Sequence, residues 1–250
     1  MAHTTMQIGC WLSLPSPEVA EIVGGAGFDF AVIDLEHGIA GIETASRMMM
    51  ALAGSGTTPV VRIPEPGEGW IKRMLDAGAG AVIVPRIEDV ETARRLAGYA
   101  TYGPEGRRGE GAGVARGAAW GRDAEGYRRR WRATGGLILQ IESPAGLEVA
   151  AEIAALPGVT QIFFGPSDFS ACLGCDLADP RVAAAARAVA AAGRGAGIEA
   201  GTVTFPGSGF GELAGMGYTH ALGTSDISLL VPALDAYLDA ARRELGHGQG

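Results

Sequence analysis

Short runs rich in Val, Ile and Phe alternate along this chain with longer segments whose apolar residues recur at helical spacing. A brief continuous apolar run bounded by Gly or Pro reads as a strand buried on both faces, and recurrence at i, i+3 and i+4 reads as a helix with one apolar face. Strands are therefore expected at 7–14, 28–35, 58–63, 80–85, 136–142, 159–164, 198–203 and 218–223. The helical period occupies 16–26, 43–53, 69–78, 88–99, 143–155, 179–196, 207–216 and 226–245. Eight strands, each followed by a helix, predict an α/β protein whose parallel strands close into a (β/α)8, or TIM, barrel. Pro15 and Pro17 precede the first helix, Asp179-Pro180 opens the sixth, and glycines follow Ala53, Ala77 and Met216. The run Pro206-Gly207-Ser208-Gly209-Phe210-Gly211 interrupts the place where the seventh helix should begin. Residues 100–123, rich in Gly and Arg, are expected as a surface excursion or lid.

Composition narrows this picture. A chain of 250 residues is ordinary for one such barrel, so a single domain, 1–250, is expected. A hydrophobic share of 47% with 40 glycines fits a compact Ala/Gly-rich enzyme. A net charge of -8 argues against general binding to nucleic acid or anionic membranes, which calls for a basic face. The basic cluster Arg128-Arg129-Arg130, flanked by Tyr127 and Trp131, is most simply a solvated helix face. No apolar run approaches the roughly 20 residues that span a bilayer, and the N-terminus lacks a basic stretch leading into an apolar one, so a cytoplasmic protein is expected. Cys10, Cys172 and Cys175 form no disulfide framework, and Cys172-Leu173-Gly174-Cys175 lacks the further soft ligands of a zinc site.

In a barrel of this kind chemistry gathers at the C-terminal ends of the strands. Few polar residues stand there: Trp11, Asp34, Glu36, His37, Arg62, Gln140, Glu142 and Asp168. Glu142 and Asp168 end neighbouring strands and offer hard oxygen ligands that suit Mg2+ or Mn2+ and also accept Co2+ or Zn2+. Alternatively Glu142 caps the helix that follows and Asp168 opens another, as acidic residues near helix N-termini often do. Of 20 basic residues only Lys72 is a lysine, so carbonyl chemistry here would need a metal rather than a Schiff base. His37 is the acid/base candidate by elimination, since His3 and His247 fall near the termini and His220 near the start of the last strand. Asp34 could orient its imidazole. Arg62 ends an apolar strand, either to stabilise an enolate oxygen or to pair with Asp34 or Glu36.

Asp34-Leu35-Glu36-His37, Val60-Val61-Arg62, Val84-Pro85, Gly103-Pro104-Glu105-Gly106-Arg107-Arg108-Gly109, Gln140-Ile141-Glu142 and Gly165-Pro166-Ser167-Asp168-Phe169-Ser170 follow in an order that resembles the HpcH/HpaI aldolases, from about Gly9 to Glu244. The resemblance implies a metal-dependent pyruvate aldolase on a (β/α)8 barrel, cleaving 4-hydroxy-2-oxo acids such as 4-hydroxy-2-oxoheptanedioate or 2-keto-3-deoxy sugar acids. It implies that Glu142 and Asp168 bind the ion with Gln140 nearby, that Arg62 contacts the pyruvyl oxygen, and that His37, paired with Asp34, serves as acid/base. The turn Gly165, Pro166, Ser167, Asp168 would offer backbone amides to the pyruvate carboxylate. Asp76 matches a family acid near a subunit interface, and a homo-oligomer, a hexamer in the family, is implied, with helix 226–245 a candidate for packing on a neighbouring subunit. Leu35, Ser167 and Phe169 depart from the family's commoner residues. A CoA-thioester lyase of the citrate lyase β or malyl-CoA lyase type shares the logic but would want a basic surface for CoA, and a non-catalytic sugar-acid binding protein would have no need of His37.

Overall fold

A computed structural model describes residues 5–134 and 136–245; His3 and His247, set aside above as terminal, lie outside these. Eight parallel strands, β1 (Gln7–Leu12), β2 (Phe30–Asp34), β3 (Thr58–Arg62), β4 (Ala81–Val84), β5 (Leu137–Ile141), β6 (Gln161–Phe164), β7 (Glu199–Val203) and β8 (His220–Ser225), pair in chain order and close on β1. The expected barrel is present, β1 to β7 each shorter than its apolar run and β8 displaced two residues toward the C-terminus. The wall helices are α1 (Pro17–Gly25), α2 (Ile42–Ala51), α3 (Glu68–Ala77) and α4 (Val90–Ala100), then α5 (Ala124–Thr134), α6 (Pro144–Glu148), α7 (Ala150–Ala154) and α8 (Pro166–Leu173). They continue with α9 (Pro180–Ala196), α10 (Phe210–Met216) and α11 (Asp226–Glu244).

Three elements differ from the sequence expectation. The helix expected at 143–155 is two short helices, because Val149 sits at φ -106, ψ 7 and breaks the ladder. Gly165 to Asp168, expected as a turn, opens α8, which precedes the long α9. The seventh helix starts only at Phe210, because Phe205 and Ser208 first pair across a tight turn.

Side chains alternate in and out along each strand, and this alternation delivers the functional residues. A small apolar cluster fills the barrel: Phe30, Val32, Val60, Ile83, Ile138, Phe163 and Leu222. The same parity carries Asp34 beyond Val32, Arg62 beyond Val60, and Gln140 and Glu142 beyond Ile138. The opposite parity, with Ala31, Ile33, Val61 and Leu139, packs against the helices in the larger core.

Residues 100–123 do not form a lid over the strand ends. α4 runs back toward the N-terminal side of the barrel, so the segment that follows lies there, packed on the last turn of α3. Arg108 is the anchor, its side chain fully buried, donating from Nη2 to Asp76 Oδ1 at 2.6 Å and to the Tyr127 hydroxyl at 2.6 Å. Its guanidinium lies over the rings of Tyr102, Tyr127 and Trp131 at 4.6, 5.3 and 5.3 Å. The Tyr127 hydroxyl in turn donates to Leu75 O at 2.7 Å. The basic face expected on α5 is thus a partial description: Arg129 and Arg130 are exposed, whereas Tyr127 and Trp131 are core. Among the described residues no helix is long and apolar enough to cross a membrane.

Tyr127→Ala removes a fully buried ring and two of its polar contacts, and should lower the unfolding free energy by about 3–5 kcal/mol. Arg129→Ala should stay within about 0.5 kcal/mol of wild type in the same urea titration.

Candidate active site

β2 and β3 end side by side, with Asp34 paired in register to Arg62. Arg62 donates from Nε to Asp34 Oδ1 at 2.9 Å and from Nη2 to Oδ2 at 2.7 Å, a two-pronged pair buried at the top of the barrel. Nη1 lies 3.0 Å from Glu36 Oε2, and the guanidinium stacks 4.5 Å over the Trp11 ring. Asp34 Oδ1 also accepts from the backbone N–H of Glu36 at 3.1 Å and of His37 at 3.4 Å, bending the chain after β2 into its turn. The pairing of Asp34 with the His37 ring expected from sequence does not form, because both carboxylate oxygens are committed to Arg62. The His37 side chain is 65% exposed, and its Nε2 lies 3.9 Å from Glu36 Oε2.

β5 and β6 supply the second half. Glu142 accepts at Oε1 from the backbone N–H of Arg86 at 2.8 Å, and at Oε2 from the Gln140 amide. Arg86 adopts φ 54, a left-handed conformation that costs a non-glycine residue energy, and the bent backbone aims its N–H at this carboxylate. Across the register, Gly165 is required: a Cβ there would stand 2.6 Å from Glu142 Oε2 and 2.9 Å from Gln140 Nε2. Neither acid is a helix cap. Ser143 caps α6, its Oγ accepting from Gly146 N at 3.1 Å, and Gly165 occupies the N-cap of α8 with Asp168 exposed in the first turn. The structural alternative is thereby removed for Glu142, whereas Asp168 does stand in the first turn of α8, where an acid also favours the helix dipole.

Trp11, His37, Arg62, Gln140, Gly165, Pro166, Ser167 and Asp168 line one cavity of about 220 Å3, with Phe163 as its floor and Val203 at its side. Asp34 and Glu142 stand directly behind Arg62 and Gln140. Asp76 does not join them: it sits at the far end of α3, bound to Arg108. Of the amides expected for a carboxylate, that of Gly165 donates to Ile141 O at 3.0 Å and Pro166 has none. Ser167 and Asp168 retain first-turn N–H groups that a helix cannot satisfy internally.

One residue escaped the sequence reading. Arg86 acts through its backbone, and nothing in Val84-Pro85-Arg86 announces a positive φ. Glu36 was visible in the strand-end motif, yet its place between Arg62 and His37 depends on how the turn folds.

The electrostatics are lopsided. Burial, and then the charge of Asp168, push the Glu142 carboxyl from the usual 4.5 up to about 7. Burial raises Glu36 as well, partly offset by Arg62, with Asp34 and Asp168 adding to the rise. The Gln140 Oε1 is buried without a partner among the described residues. Two hard carboxylates whose charges oppose each other, beside an unpaired carbonyl oxygen, fit a hard divalent cation. Among the described residues no three His, Cys, Asp or Glu side chains converge as a complete metal cage, so most coordination positions would fall to substrate and water.

A closed parallel barrel with an aspartate, an arginine and a histidine on one C-terminal cavity, and a buried glutamate behind it, defines an α/β-barrel enzyme. The family described as HpcH/HpaI aldolase/citrate lyase matches residues 7–232, and the chain belongs to it. A hydroxypyruvate/pyruvate aldolase of Roseobacter denitrificans is 41% identical over 167 residues, covering 66% of this chain and 64% of that protein. A 2-keto-3-deoxy-L-rhamnonate aldolase of Klebsiella pneumoniae is 38% identical over 198 residues, covering 77% and 74%. The crystal structure of a family protein from Burkholderia cenocepacia superposes with a TM-score of 0.84 at 33% identity, over 96% of this chain and 95% of that one.

A carboxyl with a raised folded-state pKa holds its proton more tightly when folded, so its cost to stability is absent below about pH 4.5 and complete above about pH 7. In chelator, Glu142→Gln should therefore gain stability relative to wild type as pH rises through that window. A difference between the two proteins that stays constant with pH would contradict this account.

Proposed function

We propose that the protein is a class II aldolase that reversibly cleaves 4-hydroxy-2-oxo acids to pyruvate, or hydroxypyruvate, and an aldehyde. What carries the reading is Asp168 on the cavity that also holds Arg62 and His37, with Glu142 directly behind Gln140, a buried acid that caps no helix. A divalent ion held by Glu142 and Asp168, whether Mg2+, Mn2+, Co2+ or Zn2+, would supply Lewis acidity to the substrate's 2-oxo group.

The remaining work belongs to the chain. Arg62, clamped by Asp34 and stacked on Trp11, holds positive charge toward the oxygen that becomes anionic when the C3–C4 bond breaks. The N–H groups of Ser167 and Asp168 can receive the substrate carboxylate at the start of α8. His37 takes the 4-hydroxyl proton, directly or through a water, and returns it in the aldol direction. Glu36, rather than Asp34, is the carboxylate that flanks the His37 ring. Gln140 keeps Glu142 aimed inward. The names of the relatives support pyruvate-type donors and keto-deoxy sugar acids as the substrate class. Three free cysteines accord with a reducing compartment such as the cytoplasm.

The active form is a homo-oligomer. α11 is tied to the barrel at its start, where Asp226 accepts from Ser13 N at 3.1 Å and Leu14 N at 2.8 Å. Beyond that turn Ile227, Leu230, Val231, Leu234 and Leu238 recur at helical spacing and are 42–58% exposed. So continuous an apolar stripe is what a second copy of the chain would cover.

EDTA should abolish cleavage of a 4-hydroxy-2-oxo acid, and Mg2+, Mn2+ or Co2+ should restore it, while borohydride with pyruvate should trap no adduct on Lys72. Activity indifferent to EDTA, or a trapped adduct, would remove the metal-dependent reading. Leu230→Glu with Leu234→Glu should lower the mass found by light scattering to that of a smaller assembly, and an unchanged mass would exclude this stripe as the interface.

A further inference from the structure

A second cavity, also about 220 Å3, lies inside the barrel at the end opposite the catalytic mouth. That is about seven waters' worth of space. It exists because Gly80, Ala81 and Gly136 line a layer that large branched side chains usually fill. Phe30 and Phe163 form its apolar walls, and Gln161, Glu199 and His220 supply its polar groups.

Gln161 is the informative residue. It is 6% exposed, and its amide nitrogen lies over Gly201, where a Cβ would come within 2.5 Å. Within the described residues no hydrogen bond of its side chain is found, and its amide atoms are open to the cavity rather than sealed against protein. Glu199 stands at the rim with its carboxylate 3.7 Å from His220 Nε2, and His220 Nδ1 is engaged with the Thr219 hydroxyl at 2.9 Å. No Lys or Arg is among the described residues lining the cavity, so an anion would find no countercharge there. A cation would find Glu199 and the negative faces of two phenyl rings.

We propose that this cavity is a second small-molecule site, separate from the reaction centre, that takes a compact flat organic cation of the arylamidine class. The amide of Gln161 receives one edge of the ligand's head group, Glu199 pairs with its charge, and the aryl body lies between Phe30 and Phe163. Phe163 is also the floor of the catalytic cavity, and its ring meets Trp11 edge-on with centroids 6.3 Å apart. Trp11 in turn underlies Arg62 at 4.5 Å. One aromatic ring therefore separates the two cavities, and a ligand that repacks it bears on the arginine of the mouth.

Benzamidine titrated calorimetrically into the intact protein in EDTA tests this, with benzoate as the anionic counterpart. Saturable binding of benzamidine and none of benzoate is expected. Gln161→Leu and Glu199→Gln should each weaken binding by about tenfold or more, while the double variant Glu142→Gln, Asp168→Asn should bind as wild type does. Glu199 is more than half exposed, so its variant keeps the test valid should Gln161→Leu fail to fold. No saturable binding in wild type, equal binding of benzoate, unchanged affinity in Glu199→Gln, or loss of binding in the mouth variant would each overturn the proposal.

Discussion

The two-pronged pair between Arg62 and Asp34 sets the charge balance on which the mouth of this barrel depends. Both partners arrive there by the same two-residue parity, one step beyond Val60 and Val32, on strands that are neighbours in register. An ion pair this buried is costly to make and more costly to break, since loss of one partner strands the other charge at about 3–5 kcal/mol. Once made, it engages all three of the arginine's nitrogens, Nε and Nη2 facing Asp34 and Nη1 facing Glu36, but not all five of their N–H donors. Burial, and then the charge of Asp168, raises the Glu142 carboxyl to about 7, and Arg62 offsets only part of that rise. The proposed divalent ion is the charge this arrangement lacks.

The backbone around Glu142 is shaped to the same end. Arg86 spends conformational energy on a left-handed turn to direct one N–H at the carboxylate, and Gly165 gives up a side chain so that Glu142 and Gln140 have room. A site held by main-chain geometry on two strands and a turn is rigid before any substrate arrives, which is the condition for electrostatic stabilisation to be effective. His37 is the exception. It is mostly exposed and held only through its backbone and the flank of Glu36, as suits a group that must exchange protons with a substrate hydroxyl and with water.

The two ends of the barrel interior are built differently. At the C-terminal end the inward positions carry charge and at the N-terminal end they carry mostly small or neutral polar groups, with Glu199 at the rim and a thin apolar middle between. Phe163 stands at the boundary, so packing changes on one side are felt on the other.

The sequence by itself determined the barrel, because buried parallel strands must be continuously apolar and amphipathic helices must repeat at their own period, and neither pattern depends on distant residues. It also determined which polar residues end the strands, and so most of the cavity lining from Trp11 to Asp168. What it could not decide were partnerships between segments far apart in the chain. Asp34 was legible as a partner for either His37 or Arg62, and only the register of β2 against β3 gave both its oxygens to the arginine. Whether Glu142 capped a helix was settled by Ser143 taking that place, while Asp168 opens α8 and lines the cavity at once. Asp76 reads as one more acid in the sequence, yet the direction of α3 carries it to the opposite end of the molecule, against Arg108. The positive φ of Arg86 and the unpartnered amide of Gln161 have no signature in residue order at all. They follow from how closed strands bring backbone and side chain together, and that closure exists only in three dimensions.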